Sequence, residues 1–190
     1  MPLWAKQAVY STLKNELESA LSKNTLDTFD SDNTLQLLKP AISHLGKTTL
    51  ENPPPELPQY MTRLLRMASQ GRSIMDICVA NNWTLEECAT YVFTAIEHEF
   101  INMPESSIIQ ATILYLANKI RLGEYLVKIN RLTIEQLDQA LRTQKYIEES
   151  LGEKTGIANV LINLGFINKR DSEGILFLKQ ESKIYYTAQC

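Results

Sequence analysis

Along most of the chain, apolar residues recur at intervals of three and four positions, the spacing of helices that bury one stripe. Residues 3–22 have this spacing and predict a first helix. Polar residues 24–33 predict a loop, and residues 34–45 predict a second helix that Pro40 kinks or splits, because proline lacks the N–H that a helix needs. The proline run at 52–58 excludes a helix and predicts a stiff connector.

Residues 57–120 contain start and stop signals for four further helices. Gly71 suits the position just after a helix C-terminus, where left-handed backbone is common. Thr84, three residues before Glu87, makes a capping-box pattern that opens a helix. Pro104 suits the first turn of the next helix, because that position needs no N–H. The predicted helices are residues 57–69, 74–80, 84–100 and 106–120.

The C-terminal part contains an internal repeat at an offset of 35 residues, so that residues 126–141 correspond to 161–176. Each copy predicts a short helix, a capped turn and a longer helix. One core position differs, since Leu137 corresponds to Ser172. Solenoids with repeats of this length need about three copies, so two copies predict a module that packs on itself.

These elements predict an all-α fold, and seven glycines among 190 residues leave few turns for a β fold. The connector and a shift in net charge from −1 to −4 to +2 divide the chain into three units. We expect a helical N-terminal segment, a tri-helical middle of helix-turn-helix outline and a C-terminal domain of two helical repeats. Their predicted bounds are residues 1–53, 54–113 and 114–190.

Composition narrows the cellular setting. A net charge of −3 is too nearly neutral for a general nucleic-acid or membrane-surface binder. Three cysteines without a CxxC pair indicate a reducing compartment, with neither disulfides nor zinc. The N-terminus lacks the pattern of a signal peptide, and no apolar stretch approaches the roughly 18 residues of a membrane span. The expectation is a cytoplasmic protein without membrane insertion, metal or cofactor.

Signals for catalysis are weak. Residues 41–48 match a loosened phosphate-loop pattern, but a true loop follows a buried strand, and here a helix ending at Gly46 is predicted instead. His44 and His98 have no partner at metal-ligand spacing and belong to no nucleophile pattern. The prediction is that the protein is not an enzyme.

An alternative function comes from the helix-turn-helix outline of residues 57–101. In a DNA reader the last helix offers basic and amide side chains to bases and phosphates. Here that helix carries four glutamates and neither Lys nor Arg between Trp83 and Ile101. Only Arg63, Arg66 and Arg72 form a small basic patch. A DNA-binding transcription regulator is therefore the second hypothesis, and a nucleic-acid partner is not expected.

The most specific pattern lies in the twenty-four residues from Arg121 to Gln144. Its spacing resembles the motif of the N-terminal domain of type II secretion and type IV pilus assembly ATPases (the GspE/MshE N-terminal family), in which two such motifs occur in tandem and some members bind cyclic di-GMP. The resemblance covers about residues 121–180. The residues in register, which the resemblance makes candidates for binding cyclic di-GMP, are Arg121, Leu122, Gly123, Leu126, Leu137, Leu141 and Gln144.

These residue types suit a cyclic dinucleotide. An arginine stacks on guanine or clamps a phosphate, a glycine permits close backbone approach, leucines cover purine faces, and a glutamine amide reads a base edge. The resemblance implies a non-enzymatic bacterial adaptor that docks on protein partners in a motility, pilus, secretion or signalling system and senses cyclic di-GMP. An alternative stays open, in which the leucines are simply core and Arg121 is solvated.

The second copy departs from the pattern. At an offset of 35, Gly156 replaces the arginine, Ala158 the glycine and Lys179 the glutamine. A start at Ser150 instead would keep the family's short linker but would require an insertion before Leu161, and it also lacks the arginine. Half of a two-motif site is altered in either alignment.

Overall fold

The computed structural model describes residues 39–183, which fold as helices joined by short connections. The predicted helix at 3–22, the loop at 24–33 and Cys190 lie outside the described residues. The fold class is all-α, as predicted. Within the described residues, one isolated antiparallel β-bridge joins Ile42 and Ile101. The helices are α1 (His44–Glu51), α2 (Gln59–Ser69), α3 (Ile74–Asn81), α4 (Leu85–Glu97), α5 (Ser107–Leu116), α6 (Leu122–Lys128), α7 (Ile134–Leu151), α8 (Ile157–Asn163) and α9 (Lys169–Glu181).

The predicted helix ending at Gly46 is wrong, because a helix begins there instead. Residues 39–43 are not helical, and the Ser43 N–H donates to the Phe100 carbonyl (2.9 Å). The Ser43 hydroxyl then caps α1 by accepting from the Gly46 N–H (2.9 Å). Gly46 is buried in the first turn, where a Cβ would collide with the Phe100 carbonyl oxygen. Helix α1 therefore packs closely on the segment that follows α4.

The predicted caps of the middle helices are confirmed. Gly71 is left-handed (φ +67°) after α2, and Thr84 and Glu87 form a complete capping box at α4. Several predicted bounds were wrong. Helix α4 stops at Glu97, before Phe100, since Glu99 is left-handed (φ 59°). Helix α5 is capped by the Ser106 hydroxyl and is shorter than predicted at both ends, so Pro104 precedes it.

The 35-residue offset recurs in the backbone of the C-terminal part. Helices α6 and α8 begin at residues 122 and 157, and α7 and α9 begin at residues 134 and 169. The turns match as well: Asn130 (φ 57°) and Gly165 (φ 72°) are both left-handed. A backbone hydrogen bond from Arg131 to Leu126 (2.8 Å) is repeated from Phe166 to Leu161 (2.9 Å). The two copies are therefore two helical hairpins of the same design.

Two hydrophobic clusters form the core, and both include residues of α5. Ile109, Ile113 and Leu116 pack with α2, α3 and α4 in the first cluster. Ala111 and Tyr115 pack with α6, α7, α8 and α9 in the second cluster. The predicted boundary after residue 113 thus falls inside α5, whereas the boundary after residue 53 falls in the proline connector.

Candidate functional site

A groove of about 400 Å³ lies where the start of α6, one face of α7 and the start of α8 meet. Five of the seven residues predicted from the sequence line it, although they lie on two helices and are up to 23 positions apart. Two further residues complete the wall. The lining residues are Arg121, Gly123, Glu124, Leu137, Leu141, Gln144 and Ile157.

The other two predicted residues are not in the groove. Leu122 is 9% exposed and Leu126 is 2% exposed, and both belong to the second hydrophobic cluster. For these two leucines the core interpretation holds. Leu137 and Leu141 differ from them, because Leu141 is 46% exposed and both line the groove.

The start of α6 holds Arg121 at the rim of the groove. Arg121 is the N-cap residue, with extended backbone (φ −89°), and its N–H donates to Glu124 Oε2 (2.8 Å). An arginine side chain has no acceptor, so only the glutamate half of a capping box is present. The Arg121 side chain is exposed and has its guanidinium donors available for a ligand.

Gly123 sets how closely α6 approaches α7. A Cβ at this position would lie 2.5 Å from Leu137 Cδ1, closer than real Cβ contacts allow. The absence of a side chain lets Leu137 lie directly against the first turn of α6. Gly123 therefore shapes the floor of the groove by packing, and its role does not require a left-handed backbone.

Gln144 joins α7 to the connection before α8. Its Nε2 donates to the Thr155 carbonyl (2.6 Å), and the side chain is half-buried. This contact orients the amide of a residue that lines the groove, and it does not use Oε1, which is an acceptor. The sequence had predicted that Gln144 reads a base edge, and the bond to Thr155 was not foreseen.

Sequence reasoning missed Glu124 and Ile157, and both had a signal. Glu124 is three residues after the N-cap, where an acidic residue is favoured. Ile157 is the equivalent of Leu122 at the 35-residue offset, so the repeat alone places it at the start of a helix.

Lys179, the equivalent of Gln144 in the second copy, is engaged in contacts within the protein and is not free to bind a ligand. Lys179 Nζ donates to the carbonyls of Tyr115 and Leu116 (2.8 Å each) at the C-terminus of α5. It also lies 3.7 Å from Glu86 Oε2 and over the Tyr115 ring. Desolvation lowers the pKa of Lys179, although Glu86 opposes this shift. The position that holds glutamine in the first copy is a structural clamp in the second.

The helix-turn-helix outline gains no support from α4. Its first turn is covered by the end of α9, where the Glu86 N–H donates to the Ser182 carbonyl (2.8 Å). The rest of the helix contributes Cys88, Ala89 and Val92 to the first cluster. Arg63, Arg66 and Arg72 are exposed, as a partner surface would require.

Among the described residues, the histidines and cysteines, the other residues considered for catalysis or metal binding, do not form a site. His44 and His98 are exposed, and His98 stacks on Phe100. Cys78 and Cys88 are fully buried thiols, and hydrogen bonding with Cys88 together with burial raises the pKa of Cys78. Within residues 39–183, no group of three metal-ligating side chains converges, and no helix has the length and apolarity to cross a bilayer.

The described residues form an all-α fold with a paired-hairpin unit, and the groove lies within that unit. No family model, no curated protein and no solved structure matches the chain. The resemblance of about residues 121–180 to the secretion and pilus ATPase domain therefore stays a prediction from the sequence.

Proposed function

We propose that the protein is a non-enzymatic bacterial regulatory adaptor of a motility, pilus, secretion or signalling system, and that its groove binds cyclic di-GMP. One observation carries the ligand proposal: five residues predicted to contact the nucleotide line a single cavity. Its volume of about 400 Å³ is within the range of about 300–1,000 Å³ typical of small-molecule sites.

The groove offers complementary groups to a guanine nucleotide. The planar Arg121 guanidinium stacks on the base or pairs with a phosphate. Leu137 and Leu141 supply apolar surface for the purine face. Gln144 Oε1 and the Glu124 carboxylate accept from the N–H groups of the guanine edge. In the second copy Lys179 stands at the position equivalent to Gln144 and is engaged elsewhere, so one chain would bind one of the two guanines of the ligand.

Surface composition supports the adaptor role. Helix α7 carries four of the seven most exposed large apolar side chains among the described residues: Ile134 (64%), Leu141 (46%), Tyr146 (69%) and Leu151 (67%). Ile134 and Leu141 are seven residues apart, two helical turns, and therefore share one face. Exposed apolar side chains at this spacing are typical of a helix that docks against a partner helix. Because Leu141 also lines the groove, a bound nucleotide would alter this surface directly.

Titration calorimetry of the full chain with cyclic di-GMP tests the ligand. We expect binding by the wild type and at least tenfold weaker binding by Arg121→Ala, because the arginine supplies the stacking and phosphate contacts. Arg142→Ala is the matched control, since Arg142 is an exposed arginine of α7 outside the groove. Its affinity should equal that of the wild type.

No heat at about 100 μM cyclic di-GMP would remove the nucleotide from the proposal, because a sensor needs at least roughly −5 to −6 kcal/mol of binding free energy. The adaptor role is tested separately by pull-down from the native host with wild type and Ile134→Asp, because Ile134 is exposed on α7 and does not line the groove. A partner that the wild type retains and the variant loses supports docking at α7. Equal retention by both would place the docking surface elsewhere.

A further inference from the structure

A second cavity, of about 170 Å³, lies where the turns of the two hairpins meet the start of α9. It shares no lining residue with the groove. Leu126 and Phe166 form part of its apolar wall. Its polar wall consists of Arg131, Asn168, Asp171 and Ser172. The volume is many times the roughly 10–15 Å³ that one water requires, so the cavity has room for a small polar molecule.

Two polar groups on this wall lack a hydrogen-bond partner in the described structure. Ser172 is only 1% exposed, and its Oγ is unpaired. Arg131 Nη2 is buried and is also unpaired. Buried donors in native proteins are almost always satisfied by protein, water or ligand. Two such donors on one cavity indicate that the cavity is normally filled by something that accepts hydrogen bonds.

The repeat shows that packing alone does not require these residues. At the 35-residue offset, Ser172 takes the place of Leu137, and Arg131 takes the place of Phe166. Each polar residue therefore stands where the other copy has a large apolar one. The polar wall arises at the positions where the two hairpins differ.

The donors favour an oxyanion. A guanidinium presents N–H groups in a planar fork that matches carboxylate and phosphate oxygens, and a serine hydroxyl adds a further donor. The cavity also adjoins the first turn of α9, a thirteen-residue helix whose N-terminal dipole attracts negative charge. A carboxylate is present as well, but Asp171 Oδ2 accepts from Asn168 Nδ2 (2.6 Å), and the Asp171 N–H donates to Asn168 Oδ1 (2.8 Å).

We propose that this cavity, between the hairpin turns and α9, binds a compact oxyanion, held by Arg131 and Ser172. The shared chemistry is a phosphate or carboxylate group small enough to enter a space of about 170 Å³. The site is independent of the proposed nucleotide groove, because neither its donors nor its walls are shared with it.

Calorimetric titration of the full chain with inorganic phosphate, and in a second series with acetate, tests the site at constant ionic strength. Binding of either probe is expected, and the tighter one identifies the source chemistry. Arg131→Met should weaken binding at least tenfold and Ser172→Ala several-fold. Arg142→Met makes the same change on the exposed surface of α7 and should leave binding unaltered. Asp171→Asn should tighten binding, because it removes the nearby negative charge.

A readout on the wild type guards against a variant that fails to fold. In a nitrogen-15 nuclear magnetic resonance spectrum, phosphate or acetate should shift the Arg131 Nε–H resonance and leave that of Arg142 in place. A cavity that holds only water would show no heat and no shift with either anion, and this result would overturn the proposal. Equal weakening by Arg131→Met and Arg142→Met would also overturn it, since it would mean general charge screening.

Discussion

At the scale of single residues, two glycines lie at close packing contacts. Gly46 lies against the Phe100 carbonyl and Gly123 against Leu137, and neither has a left-handed backbone. The Gly46-Lys47-Thr48 sequence that resembles a phosphate loop is thus explained by a close contact between α1 and the chain after α4. The residue type was visible in the sequence, but its neighbour was 54 positions away.

Gly46→Ala tests this packing role. Alanine is the better helix former by about 1 kcal/mol, yet we expect a net loss of about 1–3 kcal/mol in the free energy of unfolding, because the new methyl group overpacks against backbone. Urea denaturation followed by circular dichroism measures it. Lys47→Ala, on the exposed side of the same turn, should change stability by less than about 0.5 kcal/mol. A gain in stability by Gly46→Ala would show that the contact is unimportant.

Tyr115 and Tyr125 predict how stability changes at alkaline pH. Their rings stack at 4.7 Å, and burial raises the pKa of Tyr115 to about 12 and that of Tyr125 in the same direction. Unfolded tyrosines ionise near pH 10, so between about pH 10 and 12 the unfolded chain loses protons that the folded chain retains. Stability should therefore fall as pH rises through this window.

Ultraviolet titration of tyrosinate in the folded protein checks the same point directly. Tyr115 should ionise near pH 12 and Tyr125 above the ordinary tyrosine value, and Tyr125→Phe should remove one of these two late-ionising phenols. The lowered pKa of Lys179 acts in the opposite sense. As pH rises toward 10.5, the unfolded chain keeps a proton on this amine that the folded chain has begun to lose, so this group makes the folded state more stable as pH rises. Ionisation of every tyrosine near pH 10 would contradict the burial argument.

At the scale of elements, the sequence predicted the caps of α2 and α4 correctly, but it did not predict where α4 and α5 end. Thr84, three residues before Glu87, predicted the start of α4, because a capping box is a local interaction, and the structure shows the same pattern with Ser73 and Asp76 at α3. Helix ends depended on residues with left-handed backbone, among them Glu99, whose residue type does not favour this conformation, and Asn118, whose residue type does.

Helix α9 shows how one side chain fixes an element. Lys179 joins its last turns to the end of α5 and to Glu86 at the start of α4. Lys179→Met should lower stability by about 1.5–3 kcal/mol, the usual range for hydrogen bonds to a charged group. It should also speed hydrogen exchange at the Glu86 N–H, which bonds to Ser182. Lys169→Met, at an exposed ion pair on the same helix, should cost less than about 1 kcal/mol.

A Lys179→Met variant with unchanged exchange at Glu86 would mean that α9 is held by its apolar contacts alone. Ile175, 2% exposed, is a residue of α9 buried in the second cluster. Hydrogen exchange in the Lys179→Met variant therefore separates the contribution of the Lys179 contacts from that of apolar packing.

At the scale of the whole molecule, α5 couples the two hydrophobic clusters. Successive residues of this helix alternate between them, since Ile113 and Leu116 face the first cluster while Tyr115 faces the second. A helix that is shared in this way cannot unfold with one cluster and remain packed in the other. We infer that the described residues unfold in one cooperative step.

Leu161→Ala tests this coupling from a distance. Leu161 is fully buried in the second cluster, and its truncation should cost about 2–5 kcal/mol. Trp83 lies in the first cluster, so its fluorescence, in a Trp4→Phe background, should report the same lowered midpoint as circular dichroism. Leu151→Ala, at a 67% exposed position, is the control. An unshifted Trp83 transition would instead support two independent units with a boundary near residue 113.

The amino-acid sequence by itself determined the helices from α2 to α9, the caps at Gly71 and Thr84, the duplicated hairpin and five residues that line the groove. These features follow from periodicity and from interactions within about four residues, which a single chain segment already contains. The tertiary structure decided that Leu122 and Leu126 are core, that Lys179 is a clamp and that Arg131 and Ser172 face one cavity. Such assignments depend on contacts between distant segments, and the free energy of burial is settled only when those segments meet.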